Sequence, residues 1–215
     1  LNPHIKILQS DLGITADGKR GPITDRTLLK AADDGRLKVV EAPTRLLPDA
    51  VTDLPWMAEA KRVLNRHETR DNGWLKSWLK SDGKTLGDPA KLPWCGDFVE
   101  TCIRLALPGE PFPGALGQNP YWARNWLGLG VSTPVTYGAI LVFERGPSSG
   151  HVGFAVGQDD GSFFVLGGNQ SNAVTVARLE KKRLLGARWP ASYPRPAFPR
   201  LAHMKAGGPL STNEA

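Results

Sequence analysis

Cysteine is nearly absent from this 215-residue chain, which holds only Cys95 and Cys102. Two cannot staple a chain of this length, and on one helix seven positions put them two turns, roughly 10 Å, apart, too far for a bridge. Histidine is almost as scarce. His4, His67, His151 and His203 are dispersed and give no zinc-ligand spacing, so neither a metal nor an organic cofactor is expected. No apolar run approaches the roughly 20 residues that cross a bilayer, so no membrane insertion is expected. No charged-then-apolar segment with a cleavage site opens the sequence, so delivery by an ordinary signal peptide is not expected either. Charge is present but scattered: 27 Lys and Arg against 21 Asp and Glu give a formal +6, which favours a polyanionic partner. Only Glu180-Lys181-Lys182-Arg183 approaches a basic cluster. No recognition helix or aromatic RNA-binding motif accompanies it, and nucleic acid is not expected as a partner.

What is there reads in four parts. Residues 1–36 carry two short helical patterns around Asp17-Gly18 and Gly21-Pro22, too few to fold well alone. Residues 37–54, with Pro43 and Pro48, read as a linker. Residues 55–190 form the main domain, and 191–215 a Pro- and Gly-rich tail, poorly structured except where Tyr193 and Phe198 pin it. Within the main domain, helical patterns over residues 56–65 and 74–79 come first. From Tyr137 the period changes to short β-rich runs at 139–143, 152–156, 163–166 and 174–177, which is an antiparallel meander. Helices followed by a sheet is the α+β arrangement. Between them a proline- and glycine-rich passage, 108–134, carries Trp122 and Trp126 as an i, i+4 aromatic pair for core packing or a groove.

The stretch after Pro93 organises the rest. Phe98, Val99, Cys102 and Ile103 recur at helical spacing, with Asp97, Glu100, Thr101 and Arg104 on the other face. Cys95 falls in the first turn, where unpaired N–H groups and the helix dipole favour a thiolate, the form that attacks carbonyl carbon. His151 opens a strand in which Gly153 and Ala155 leave room for a helix to come close. Asn169 follows the next strand. A thiol, an imidazole to take its proton and an amide to orient that imidazole form a papain-like set. Each has a plainer role as well: a buried apolar thiol, a hairpin histidine and a turn asparagine.

Pro93-Trp94-Cys95-Gly96-Asp97-Phe98-Val99, Gly150-His151-Val152-Gly153-Phe154 and Val165-Leu166-Gly167-Gly168-Asn169-Gln170-Ser171-Asn172, closing on Leu185-Gly186-Ala187-Arg188-Trp189-Pro190, resemble the NlpC- and CHAP-type cell-wall cysteine hydrolases. The nearest likeness is to a phage endolysin-like subgroup. Leu12-Gly13-Ile14-Thr15-Ala16-Asp17-Gly18 and Gly21-Pro22-Ile23-Thr24 similarly resemble half of a helical peptidoglycan-binding repeat. The resemblance implies a papain-like domain with helices packed on an antiparallel sheet. It implies amide cleavage in the bacterial peptidoglycan peptide, with Cys95 as nucleophile, His151 as base then acid and Asn169 as orienting group. Glu68, Trp94 and Gln170 are supporting or substrate-binding candidates. An endopeptidase is favoured over an N-acetylmuramoyl-L-alanine amidase, acting as a monomer on the wall after holin- or virion-dependent delivery. The alternative is a non-catalytic wall-binding or virion structural protein.

Overall fold

The computed structural model describes residues 53–196, 200–205 and 210–211, together with Gln9, Thr15, Asp17 and Thr27. The chain divides into two compact units, Leu1–Val51 and Thr52–Ala215. In the first, the buried Gln9 donates from Nε2 to Asp17 Oδ1 at 2.8 Å. Apart from Gln9, Thr15, Asp17 and Thr27, the repeat-like segment 1–36 lies outside the described residues, as does the linker apart from Asp53 and Leu54.

The second unit opens with three helices. Helix α1, Pro55–Arg62, starts on a proline, whose missing N–H costs nothing in a first turn. It buries Trp56, Met57 and Ala60, and Lys61 and Arg62 complement the dipole at its end. Helix α2, Asn72–Leu79, buries Leu75, Trp78 and Leu79. Helix α3, Cys95–Ala106, is the central one, and every residue from Cys95 to Ile103 is buried. The pattern suggested an outward polar face, but Asp97, Glu100 and Thr101 are enclosed too. One wall of that enclosure is the proline-rich passage: a Cβ on Gly96 would stand 2.6 Å from the carbonyl oxygens of Pro120 and Tyr121. Only a residue without a side chain lets that backbone cross so close.

Within the passage lie a short helix α4, Gly114–Gln118, and a 3-10 helix, Ala123–Gly128. The expected Trp122–Trp126 pair does not form a common face. Trp126 is fully buried, with its indole N–H donating to Pro120 O at 2.7 Å, whereas Trp122 is 46 % exposed. The tighter 3-10 winding eclipses positions three apart, so residues four apart diverge.

Six strands form one antiparallel sheet in the order β1-β6-β2-β3-β4-β5: Val131–Ser132, Ile140–Glu144, Gly150–Gln158, Ser162–Gln170, Ala173–Glu180 and Leu184–Trp189 for β1 to β6. The four expected runs are the cores of β2 to β5. Helices and an antiparallel sheet thus give the α+β class. Helix α3 packs on β3 and β4. Phe98 lies 6.0 Å from Phe154, ring to ring. A Cβ on Gly168 would come within 2.5 Å of the Trp94 ring and 2.6 Å of Phe98. The glycine that admits the helix is therefore Gly168. At Gly153, expected to play that part, the crowding comes from Val165 and Leu166 on the neighbouring strand.

The described part of the C-terminal tail is tied down. Tyr137 N–H donates to Arg200 O at 3.0 Å, Gln158 N–H to Ala202 O at 2.9 Å, Met204 N–H to Gln158 O at 2.7 Å and Ser211 N–H to Arg178 O at 2.8 Å. Sheet ends and the β5 edge carry backbone groups that need partners, and this segment supplies them despite its composition.

Candidate active site

Cys95 is the first residue of α3, and the first hydrogen bond closing that helix runs from Phe98 N–H to Trp94 O at 2.9 Å. The amides of Cys95, Gly96 and Asp97 therefore find no partner inside the helix. The thiol is buried, 6 % exposed. Burial pushes its pKa up, against the pull of the Val152 and Gly96 N–H groups and the charge of Arg145. A helix start was expected to lower this thiol; desolvation outweighs it.

His151, the base expected from the sequence, is within one residue of the thiol's partner. The β3–β4 register runs from Gln158↔Phe163 to Phe154↔Leu166, and past this point β4 leaves β3. In the resulting fork Val152 N–H meets the Cys95 thiol, and His151 precedes it, fully buried. His151 Nε2 lies 3.0 Å from Gln170 Oε1. The amide of Gln170 can be oriented from its other bonds: Nε2 donates to Thr175 O at 2.6 Å and Val165 O at 3.2 Å. Its oxygen is left to accept, so His151 donates to it from Nε2.

The amide bonded to His151 is thus that of Gln170, where Asn169 is the one expected. The pairing of β4 with β5 explains the change. Gly167 faces Thr175 and Gln170 faces Ala173, so three residues on β4 span two on β5. Thr175 and Ala173 share a face, and their partners Gly167 and Gln170 share it too. The extra residue is a β-bulge, and Asn169 takes it up with φ 57°. Strict alternation would have put Asn169 on the face that Gln170 occupies. Asn169 instead lines the neighbouring cleft. The signal in the sequence was Gly167-Gly168-Asn169, three residues tolerant of unusual backbone. Beyond the bulge Ser171 and Asn172, at φ 53° and 62°, form the two-residue hairpin into β5.

Glu68 and Trp94 act together. Trp94 Nε1 donates to Glu68 Oε2 at 2.9 Å, and Glu68 N–H donates to Asn172 O at 2.8 Å. One loop residue thus fastens the tryptophan before Cys95 to the hairpin after Gln170. Glu68→Ala is expected to leave the buried indole N–H unpaired at a cost of about 1–3 kcal/mol, and to lower the turnover of Cys95. Glu68→Gln keeps an acceptor and retains most of both. Urea midpoints and rates for the pair give the comparison, and equal behaviour of Ala and Gln would dismiss the fastening role.

Two residues into α3, Asp97 Oδ2 accepts from Thr85 Oγ1 at 2.9 Å and Leu86 N–H at 3.0 Å, while Oδ1 is buried without a partner. Burial pushes this carboxyl up to about 7, against those two donors and with help from the charges of Glu100 and Asp82. Glu100, paired with Arg104 at 2.7 Å, is raised by burial too. The folded chain keeps a proton on Asp97 that the unfolded chain releases near pH 4, so stability falls as pH climbs from about 4 to about 7 and the loss is complete above that. Asp97→Asn should shrink the drop in denaturant stability between pH 5 and pH 8, by at most about 3 kcal/mol. An undiminished drop would show that Asp97 is already ionised at pH 5.

An open cleft of about 410 Å³ is lined by Glu68, residues 89–93, Arg145, Asn169 and Asn172, and neither Cys95 nor His151 is among its lining residues. No group of three or more His, Cys, Asp or Glu side chains among the described residues is placed to hold a metal ion. A buried thiol at a helix head and a histidine bonded to an amide oxygen are groups that nucleophilic hydrolases use.

Comparison with known families agrees with that class. Residues 87–169 match the family described as the CHAP domain. CHAP domains are generally hydrolases acting on peptidoglycan, and the match supports a CHAP-type cell-wall hydrolase. No curated protein and no solved structure matches the chain.

Proposed function

We propose that this domain cleaves an amide bond in the peptide of bacterial peptidoglycan through a Cys95 thioester, with His151 as base and acid and Gln170 as its positioning residue. The observation that carries this reading is the His151–Gln170 bond, made one residue from the Val152 N–H that meets the Cys95 thiol. His151 takes the thiol proton as sulfur bonds to the carbonyl carbon. Negative charge moves to the carbonyl oxygen, for which the helix-head amide of Cys95 is the nearest preorganised kind of donor. Collapse expels the amine, which leaves with the proton from His151. Water, losing its proton to the same imidazole, then hydrolyses the thioester and restores the thiol. Wall peptide is the partner, and the site of action is the bacterial cell wall.

Mass spectrometry of digested peptidoglycan tests this. A new free amine on a stem or bridge residue identifies an endopeptidase, the favoured outcome. An amine on L-alanine with a free lactyl carboxyl on muramic acid identifies the amidase, whose chemistry at sulfur is the same. Wall that binds the protein but yields no new amine would leave the non-catalytic alternative.

A further inference from the structure

The walls of the cleft are joined to both halves of the candidate site. Pro93 precedes Trp94 and Cys95, and Glu68 accepts the Trp94 indole N–H at 2.9 Å. On β4, Asn169 is peptide-bonded to Gln170, whose Oε1 lies 3.0 Å from His151. Asn169 stands apart from the other lining residues. It is only 5 % exposed, yet among the described residues nothing hydrogen-bonds its side chain. Buried side-chain amides are seldom left without partners, since each carries two donors and an acceptor. This one is not sealed in the core, and the surface it reaches is that of the cleft. Its backbone is unusual as well. A φ of 57° lies in the left-handed region, which penalises a Cβ and which asparagine tolerates better than most residues. The bulge that sets Gln170 toward His151 therefore also lifts Asn169 out of the ladder and holds it against the cleft. A side chain kept in a costly conformation with its bonding capacity unused is preorganised for a ligand.

The chemistry of that ligand follows from the amide. It is neutral, and it donates and accepts from neighbouring atoms. An extended residue of a peptide offers the complement, because its own N–H and C=O point to the same side, as they do where two strands exchange a pair of bonds. We propose that Asn169 holds one extended residue of the wall peptide in the cleft, accepting its N–H through Oδ1 and donating to its C=O through Nδ2, so that the cleft reads main chain at that point and not a side chain. The proposal rests on the amide-hydrolase reading for the identity of the peptide.

The test separates recognition from catalysis. Calorimetry on the Cys95→Ala protein titrates a soluble peptidoglycan stem peptide and its ester analogues, each with one backbone N–H replaced by oxygen. One analogue is expected to bind about five- to tenfold more weakly, the worth of one hydrogen bond to an otherwise unpartnered acceptor. Adding Asn169→Gly should weaken the parent peptide by at least that factor and erase the difference for that analogue. Asn169→Asp, whose carboxylate still accepts, should keep the difference. Glycine suits a left-handed backbone and its introduction removes no internal hydrogen bond, so a loss of binding at an unchanged urea midpoint is recognition and not unfolding. Equal binding of the parent peptide with and without Asn169→Gly, or no analogue whose loss depends on Asn169, overturns the proposal. Hydrolysis of the unmodified peptide by the wild-type protein is followed alongside. Cleavage without the dependence on Asn169 overturns the recognition alone, whereas the dependence without cleavage sinks the hydrolase reading and leaves the recognition standing.

Discussion

Cys95→Ser is expected to abolish release of new amines from peptidoglycan while leaving the circular dichroism spectrum and the urea midpoint close to wild type. The hydroxyl fits the space of the thiol. It is far harder to ionise, and the buried site that already raises the thiol would penalise an alkoxide more. Loss of a nucleophile of this kind costs a factor on the order of 10⁴ to 10⁶. Cys102→Ser is the control. Cys102 lies fully buried two turns along α3, and burial pushes its thiol well up, so it has neither access nor charge for chemistry. It should keep most of the activity and lose some stability, because a hydroxyl replaces sulfur in an apolar site. Equal loss from both replacements would mean that packing of α3, not the thiol of Cys95, had been measured.

Gln170→Ala is expected to lower the rate constant by about 10² to 10⁴, the range in which an orienting partner of a catalytic histidine acts. Without the Oε1 acceptor the His151 ring loses the bond that orients it. Gln170→Glu keeps an acceptor at the same reach. It adds a charge that favours imidazolium, so activity should survive and the acid limb of the pH–rate profile should move to higher pH. A merely structural residue would move stability without moving that limb. Asn169→Ala, by contrast, should change KM more than the rate constant, since Asn169 lines the cleft. The reverse ranking of Asn169 and Gln170 would return the orienting role to Asn169.

The contrast between these two neighbours shows how far the sequence could be read. Helix α3 and strands β2 to β5 follow from apolar period alone, and the family motifs placed Cys95 and His151 in elements that do converge. The exchange of Asn169 for Gln170 could not be read that way, because a single bulge inverts every later side chain on a strand and leaves composition unchanged. Burial of Asp97, Glu100 and Thr101 was also hidden. A helical wheel shows which face is polar but not that another part of the chain will cover it, and that cover depends on Gly96 meeting Pro120 and Tyr121 some two dozen positions away. Arg124 carried no motif. Its part, donating from Nε to Ser149 O at 2.9 Å and from Nη2 to Gly146 O, emerges only once the β2–β3 turn is placed against the 3-10 helix.

The brace from Arg124 has a consequence for modularity. Passage 108–134 has the composition of a decorative insertion, the kind that recombination or a protein engineer would exchange to change target range. Through Arg124 it holds the hairpin that delivers His151, and through Pro120 and Tyr121 it roofs the helix that delivers Cys95. A chimera that swaps this passage therefore inherits a different reaction centre, whatever it was meant to recognise. Portable diversity in such a domain belongs to segments that touch neither.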